Sequence, residues 1–220
     1  MKPATTVNFP RSRLPPGGQA VTGVPGAHHY HVILADPPWT FATYSQKGKG
    51  RSAEAHYDCM SIADIKSLPV ADWAASDCAL FLWVTDPTLP QALEVLAAWG
   101  FVYKTVAFTW VKTTRDGTPF PIGCGYWTRA NPELCLLGTR GRPQRLSRSV
   151  RQLVFAPRRE HSRKPDEVYE LIEKLVAGPY LELFGRAPRA GWDSWGKEAE
   201  SGIGARRADS YPQRQEESTA

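Results

Sequence analysis

Six short runs rich in apolar, β-branched and aromatic residues constrain the fold of this chain more than any other feature. HVILA (31–35), ALFLWVT (79–85), FVYKTVAFTWV (101–111), ELCLLGT (133–139), QLVFA (152–156) and YLELF (180–184) read as strands. Between them lie helical patterns. PDEVYELIEKLVAG places Pro165 in a first turn, Asp166 and Glu167 at the positive end of a helix dipole, and Val168, Leu171, Ile172, Leu175 and Val176 on one stripe, with Gly178 as the stop. A second helix is predicted from about Pro90 to Trp99, with Leu93 and Leu96 inward and Gly100 ending it. A short third follows Ser61, which offers an N-cap with Asp64 as its partner acid. Near-continuous apolar strands alternating with amphipathic helices imply an α/β fold, a mostly parallel sheet covered by helices on both faces. Ligands of such sheets bind beyond the carboxyl ends of the strands. Two long interruptions, 40–60 and 113–128, follow strand ends where a site belongs.

The 220 residues, 42% of them apolar, suffice for one domain and fall short of two. Residues 1–28 are Pro/Gly-rich and predict a flexible arm, 29–198 the folded domain, and 199–220 a polar, disordered tail. Four irregularly spaced cysteines, Cys59, Cys78, Cys124 and Cys135, indicate neither a zinc site nor a disulfide framework, so no metal is expected. With no signal peptide pattern and no apolar run long enough to cross a bilayer, the expectation is a cytoplasmic protein with no membrane partner. The oligomeric state is left open, a homodimer included. A net charge of +5, with eight Trp, eight Tyr and eight Phe, is compatible with a polyanionic partner. Arg140, Arg142, Arg145, Arg148 and Arg151 cluster in one stretch that could follow a phosphate backbone or be a solvated loop.

The chemistry concentrates at DPPW. Asp36 follows the first strand, so its carboxylate should emerge at the sheet rim. Pro37 fixes its own φ and Pro38 pushes Pro37 toward an extended conformation, which aims the Pro37 carbonyl in one direction. Two acceptors, the Asp36 carboxylate and the Pro37 carbonyl, then suit a donor with two hydrogens, such as the exocyclic amine of adenine. Accepting both hydrogens localises the nitrogen lone pair and stabilises the positive charge that grows as it attacks a methyl sulfonium. Trp39 offers a face on which an extruded base could lie. Taken alone, DPPW could also be a strand-ending turn.

DPPW, HYDCMS (56–61), ALFLWVT (79–85), TWVKT (109–113), RANPELCLLG (129–138), HSRKPDEVYELIEKL (161–175), LELFGR (181–186) and GWDSWGKE (191–198) occur in the order found in one family. Over about residues 30–198 the chain resembles the adenine-N6 methyltransferases related to the catalytic subunit of the messenger-RNA adenosine methyltransferase, the MT-A70 family, with members in bacteria and phages. The resemblance implies a Rossmann-like methyltransferase domain with circularly permuted motif order and S-adenosylmethionine as cofactor. It places methyl transfer at Asp36, Pro37, Pro38 and Trp39, with Asp36 also bordering the cofactor. Tyr57 and Trp83 would line the adenine pocket, Glu133 would lie near the target nucleotide, and Lys164 would contact the cofactor. Phe184, Gly185 and Arg186 match the cofactor turn, and Lys197 and Glu198 the ribose contacts. Arg140, Arg142 and Arg145 are candidates for nucleic-acid contact. Bland alternatives stand beside these: Trp83 as plain core, Tyr57 as a lid anchor, Glu133 as a solvated strand end.

Two departures from the family pattern are visible. Lys197 stands where bacterial relatives carry Asn, and Pro188 and Arg189 replace the His-Asn pair of the eukaryotic branch. The reading is methylation of adenine N6 in nucleic acid, DNA before RNA. The rivals are methylation of a protein glutamine or asparagine amide, and a non-catalytic nucleic-acid-binding subunit.

Overall fold

All six apolar runs form strands, and a seventh joins them in a single sheet. The computed structural model describes residues 29–40, 59–114, 121, 123, 125–159, 163–185 and 187–196. The strands are β1 (Tyr30–Ala35), β2 (Ala74–Val84), β3 (Val102–Thr113), β4 (Glu133–Arg140), β5 (Leu153–Pro157), β6 (Tyr180–Leu183) and β7 (Trp192–Trp195), in the order β5-β3-β4-β2-β1-β6-β7. Pairs β1–β2, β1–β6, β6–β7 and β3–β5 are parallel, whereas β4 runs antiparallel to both β2 and β3. The sheet is thus mostly parallel with one strand reversed. A parallel return from β3 would need a crossover over a sheet face, and β4 instead turns back beside it. The predicted arm, the tail and residues 41–58 of the first long interruption, Tyr57 included, lie outside the described residues, as do Arg186, Lys197 and Glu198.

Helices α1 (Ile62–Ser67), α2 (Val70–Trp73) and α3 (Leu89–Ala98) pack on one face of the sheet and α4 (Glu167–Leu175) on the other. The Ser61 hydroxyl accepts from the Asp64 amide at 3.1 Å and so caps α1, as its sequence predicts. In α3 the inward residues are Ala92, Val95 and Leu96, while Leu93 is 39% exposed. The expectation for Leu93 is therefore corrected: the stripe at 92, 95 and 96 carries the contact and rotates 93 to its border. Gly100 ends the helix with φ +82°, a left-handed conformation open to glycine. Helix α4 stops at Leu175, before the expected Gly178, because Val176 turns extended and packs into the core.

Strand β7 had no apolar run to announce it. Its interior is Asp193 and Ser194, both buried, and Asp193 accepts from the Tyr30 hydroxyl at 2.7 Å. Among the described residues no helix is long and apolar enough to cross a membrane.

Candidate active site

Alternation along the strands delivers the site. On the α4 face Val32 and Leu34 of β1, Phe81 and Trp83 of β2, Phe108 and Trp110 of β3 and Cys135 of β4 pack with Val168 and Ile172. Continuing each series by two residues toward the carboxyl rim gives Asp36 after Leu34, Lys112 after Trp110, and Glu133 before Cys135. A core face thus ends in a polar crown. Because β4 is reversed, its first residue, not its last, reaches this rim.

Lys164, in the segment leading into α4, closes the crown. Its Nζ lies 2.8 Å from Asp36 Oδ2 and 3.2 Å from Glu133 Oε2, and Lys112 Nζ lies 2.7 Å from Glu133 Oε1. Four alternating charges run Lys112, Glu133, Lys164, Asp36. Two indoles form the floor: Lys164 sits 5.6 Å over the Trp83 ring and Lys112 5.3 Å over Trp110, and the two rings meet edge to face at 6.4 Å. Burial would push the Glu133 carboxyl upward, but the charges of Lys164 and Lys112 and their hydrogen bonds overcome it and hold the group below its ordinary range. Lys164 is the mirror case, since burial would lower it while Asp36 and Glu133 raise it above the usual value. Both Glu133 and Lys164 are therefore charged at neutral pH.

Beside this row opens a cavity of about 260 Å³, bordered by Asp36, Trp83, Lys164, Tyr169, Glu182, Phe184 and Arg189 among others. Glu182 lies on β6, paired with Leu34, and accepts from the Tyr169 hydroxyl at 2.6 Å. Burial and the nearby Asp36 charge raise the Glu182 carboxyl to about 7, against the opposing Tyr169 hydrogen bond. Arg189 stacks on the Tyr169 ring at 4.3 Å. Phe184 has φ +65°, a strained conformation for a residue with a side chain, in the turn after β6. At Gly185 an added Cβ would lie 2.0 Å from Ser194 Oγ, so this glycine leaves room for the Ser194 and Glu182 side chains. Among the described residues Ser194 Oγ, which is buried, has no hydrogen-bond partner.

The chemistry of this cavity fits a zwitterionic, cationic nucleoside such as S-adenosylmethionine. Lys164 and Arg189 are cations for a carboxylate, the Asp36 and Glu182 carboxyls are acceptors for an ammonium or a diol, and Phe184 and Tyr169 are flat apolar faces.

The structure brings together Asp36, Trp83, Glu133, Lys164 and Phe184, with Gly185 in the adjoining turn. Two expectations change. Trp39 is 6% exposed, packs in the core on the α1–α3 face, and donates from Nε1 to the Trp83 carbonyl at 3.0 Å, so it is a strut under the site and no open platform. Trp83, 1% exposed, is both core and cavity wall. The Pro37 carbonyl already accepts from the Trp39 amide at 2.8 Å, which leaves one lone pair for a second donor, and Pro38 accepts from Met60 at 3.0 Å. Glu133 is 8% exposed and paired, so it is no solvated strand end.

Arg140 and Arg142 stand apart from this group. Arg140 ends β4 opposite Cys78, at the amino end of β2, and donates to the Ala71 carbonyl; the Arg142 amide bonds to Asp77. Arg145 follows on the same exposed stretch, remote from the carboxyl rim. Sequence reasoning passed over Lys112, Tyr169 and Glu182, and took Arg189 only as the replacement of a family contact. The signal for Glu182 was present, a charge between apolar residues in a strand too central to waste one.

The family model described as MT-A70 matches residues 30–198. The Type II methyltransferase M.MunI of Mycoplasma sp is 34% identical over 187 residues, 77% of this chain and 77% of that protein. The N(6)-adenosine-methyltransferase MT-A70-like protein of Arabidopsis thaliana is 33% identical, covering 84% of this chain and 27% of its own length. The catalytic subunit METTL3 of Homo sapiens is 33% identical over 71% of this chain and 26% of its own. The chain therefore spans about a quarter of these eukaryotic relatives.

Proposed function

We propose, proceeding from the premise that this chain belongs to the MT-A70 family of Rossmann-like methyltransferases, that it methylates the exocyclic N6 amine of adenine in nucleic acid, with DNA as the polymer. S-adenosylmethionine would supply an electrophilic methyl group carried on sulfonium. The observation that carries the reading is the Asp36 carboxylate, held by Lys164 at the mouth of the cavity.

Asp36 and the remaining lone pair of the Pro37 carbonyl accept the two amine hydrogens, which draws the nitrogen out of conjugation and offsets its growing positive charge. Asp36 orients the amine and receives a proton only once that nitrogen, on taking the methyl group, has become acidic. Lys164 and Arg189 would hold the cofactor carboxylate, and Glu182 and Phe184, which line the same cavity, would meet its cationic or hydroxyl groups and its apolar surface. Arg189 thus supplies a cation where the eukaryotic pattern has an amide. Trp83 and Glu133 border the entering base.

DNA is favoured by size: the chain matches most of a Type II methyltransferase and only a fraction of the adenosine methyltransferases. The test is mass spectrometry of nucleosides from DNA and RNA incubated with protein and cofactor. N6-methyldeoxyadenosine from DNA is expected, and its absence from both polymers while cofactor binds would overturn the reading.

A further inference from the structure

The cavity and the crown share one cation, and that creates a problem of charge. Lys164 is the counterion of Asp36 and of Glu133, yet it also lines the cavity where a ligand carboxylate would sit. If Lys164 turned to such a ligand, Glu133, with a side chain 11% exposed, would lose a counterion in a low-dielectric setting. Lys112 resolves this.

We propose that Lys112 is a positioning residue whose ammonium keeps Glu133 compensated, so that Lys164 can leave the two carboxylates for the carboxylate of a bound aminoacyl nucleoside and release Asp36 to its amine substrate. The inference rests on the proposed reading and adds a residue that acts through Glu133, touching neither reactant.

Lys112 is built for this. Its backbone amide donates to Asn131 Oδ1 at 3.0 Å and its carbonyl accepts from Asn131 Nδ2 at 3.0 Å, so a single side-chain amide clasps both backbone groups. The same Asn131 amide also donates to the Pro121 carbonyl at 2.8 Å. Trp110 lies beneath the ammonium. Both restraints persist whatever Lys164 does, and the Lys112–Glu133 contact, at 2.7 Å, is shorter than the 3.2 Å contact of Glu133 with Lys164. Glu133 already favours the cation that stays. Take Lys112 away and, among the described residues, Lys164 is the remaining ion-pair partner of Glu133, which then competes with any ligand for it.

The experiment is calorimetric titration of S-adenosylmethionine, and of its decarboxylated analogue, into wild type, Lys112→Met, Lys112→Arg, Glu133→Gln and the double variant Lys112→Met/Glu133→Gln. Lys112→Met should weaken S-adenosylmethionine binding about tenfold, Lys112→Arg should stay within about threefold of wild type, and the double variant should recover most of the loss. Glu133→Gln alone should bind at least as tightly as wild type, which tests the competition even if Lys112→Met folds poorly. The decarboxylated analogue, which gives Lys164 nothing to move to, should not distinguish Lys112→Met from wild type. Wild-type affinity in Lys112→Met, no recovery in the double variant, weaker binding by Glu133→Gln, or equal losses for both ligands overturns the proposal. A wild-type protein that binds no S-adenosylmethionine at all refutes the proposed function instead.

Discussion

Lys164 Nζ lies 2.8 Å from Asp36 Oδ2, joining residues 128 positions apart in sequence. The pair ties the end of β1 to the segment that launches α4.

Asp36→Asn keeps the shape and removes the charge. Methyl transfer should fall by about 10²–10³ or more, the scale of losing one preorganised electrostatic partner. Cofactor affinity should change far less, because Lys164 keeps Glu133 as a partner. Tritium transfer from labelled cofactor, read beside a binding titration, checks both; retained turnover contradicts the role of Asp36.

The Glu182 carboxyl gives stability a pH dependence of unusual sign. Its folded value, about 7, lies above the ordinary 4.5, so the folded protein binds this proton more tightly than the unfolded chain. The ligand-free protein should lose stability from this group as pH rises from about 4.5 to 7 and nothing more above that. Glu182→Gln should therefore be more stable than wild type at pH 8, on the order of 2 kcal/mol, and close to it at pH 5. Urea unfolding at both values measures the difference, and an equal effect at both excludes Glu182 as its source.

Glu133 contributes with the opposite sign. Its carboxyl sits below the ordinary value, so its pairing stabilises the fold above about pH 4.5 and the contribution is lost as pH falls further. In Glu133→Gln this acid-limb loss should be smaller, measured as the unfolding midpoint between pH 3 and 5.

Gly185 and Ser194 make a packing test. Gly185→Ala sets a Cβ 2.0 Å from Ser194 Oγ and should cost about 1–3 kcal/mol, the usual range for overpacking. Ser194→Ala removes a buried hydroxyl that has no hydrogen-bond partner among the described residues and should be neutral or stabilising by up to about 1 kcal/mol. Combined, the two changes should cost less than their sum, seen in thermal melts of the four proteins.

Trp127 is 93% exposed with φ +68°, on the connection between β3 and β4 that starts and ends at the carboxyl rim. Trp127→Ala should leave the melting temperature within about a degree, since nothing buried is lost. Nucleic-acid affinity should drop by about 1–3 kcal/mol if the indole stacks on a base. Fluorescence anisotropy with a labelled oligonucleotide distinguishes the two effects.

Strands were legible where burial on both faces makes a run continuously apolar, as at HVILA and ALFLWVT. Strand β7 escaped that signal because Asp193 and Ser194 occupy its interior, and the buried Asp193 depends on the hydroxyl of Tyr30, which lies 163 residues from it. Asp36 was legible because its chemistry is local, set by two following prolines. Lys112, Tyr169 and Glu182 were not, since each gains meaning only from a neighbour on another strand or helix. The reversal of β4 belongs to the same class: nothing within ELCLLGT states its direction, yet direction decides which of its ends reaches the site. Trp39 misled because an aromatic after a turn is equally suited to stacking outward or bracing inward, and the Trp83 carbonyl that accepts its indole N–H decided the matter.

The Asn131 clasp on Lys112 has an evolutionary consequence. The peptide that leaves β3 and the peptide that enters β4 are stitched together at their base, so whatever length of chain is spliced between them hangs from a fixed hem. Insertions there can change which partner is greeted at the rim while the ammonium and carboxylate inside keep their places.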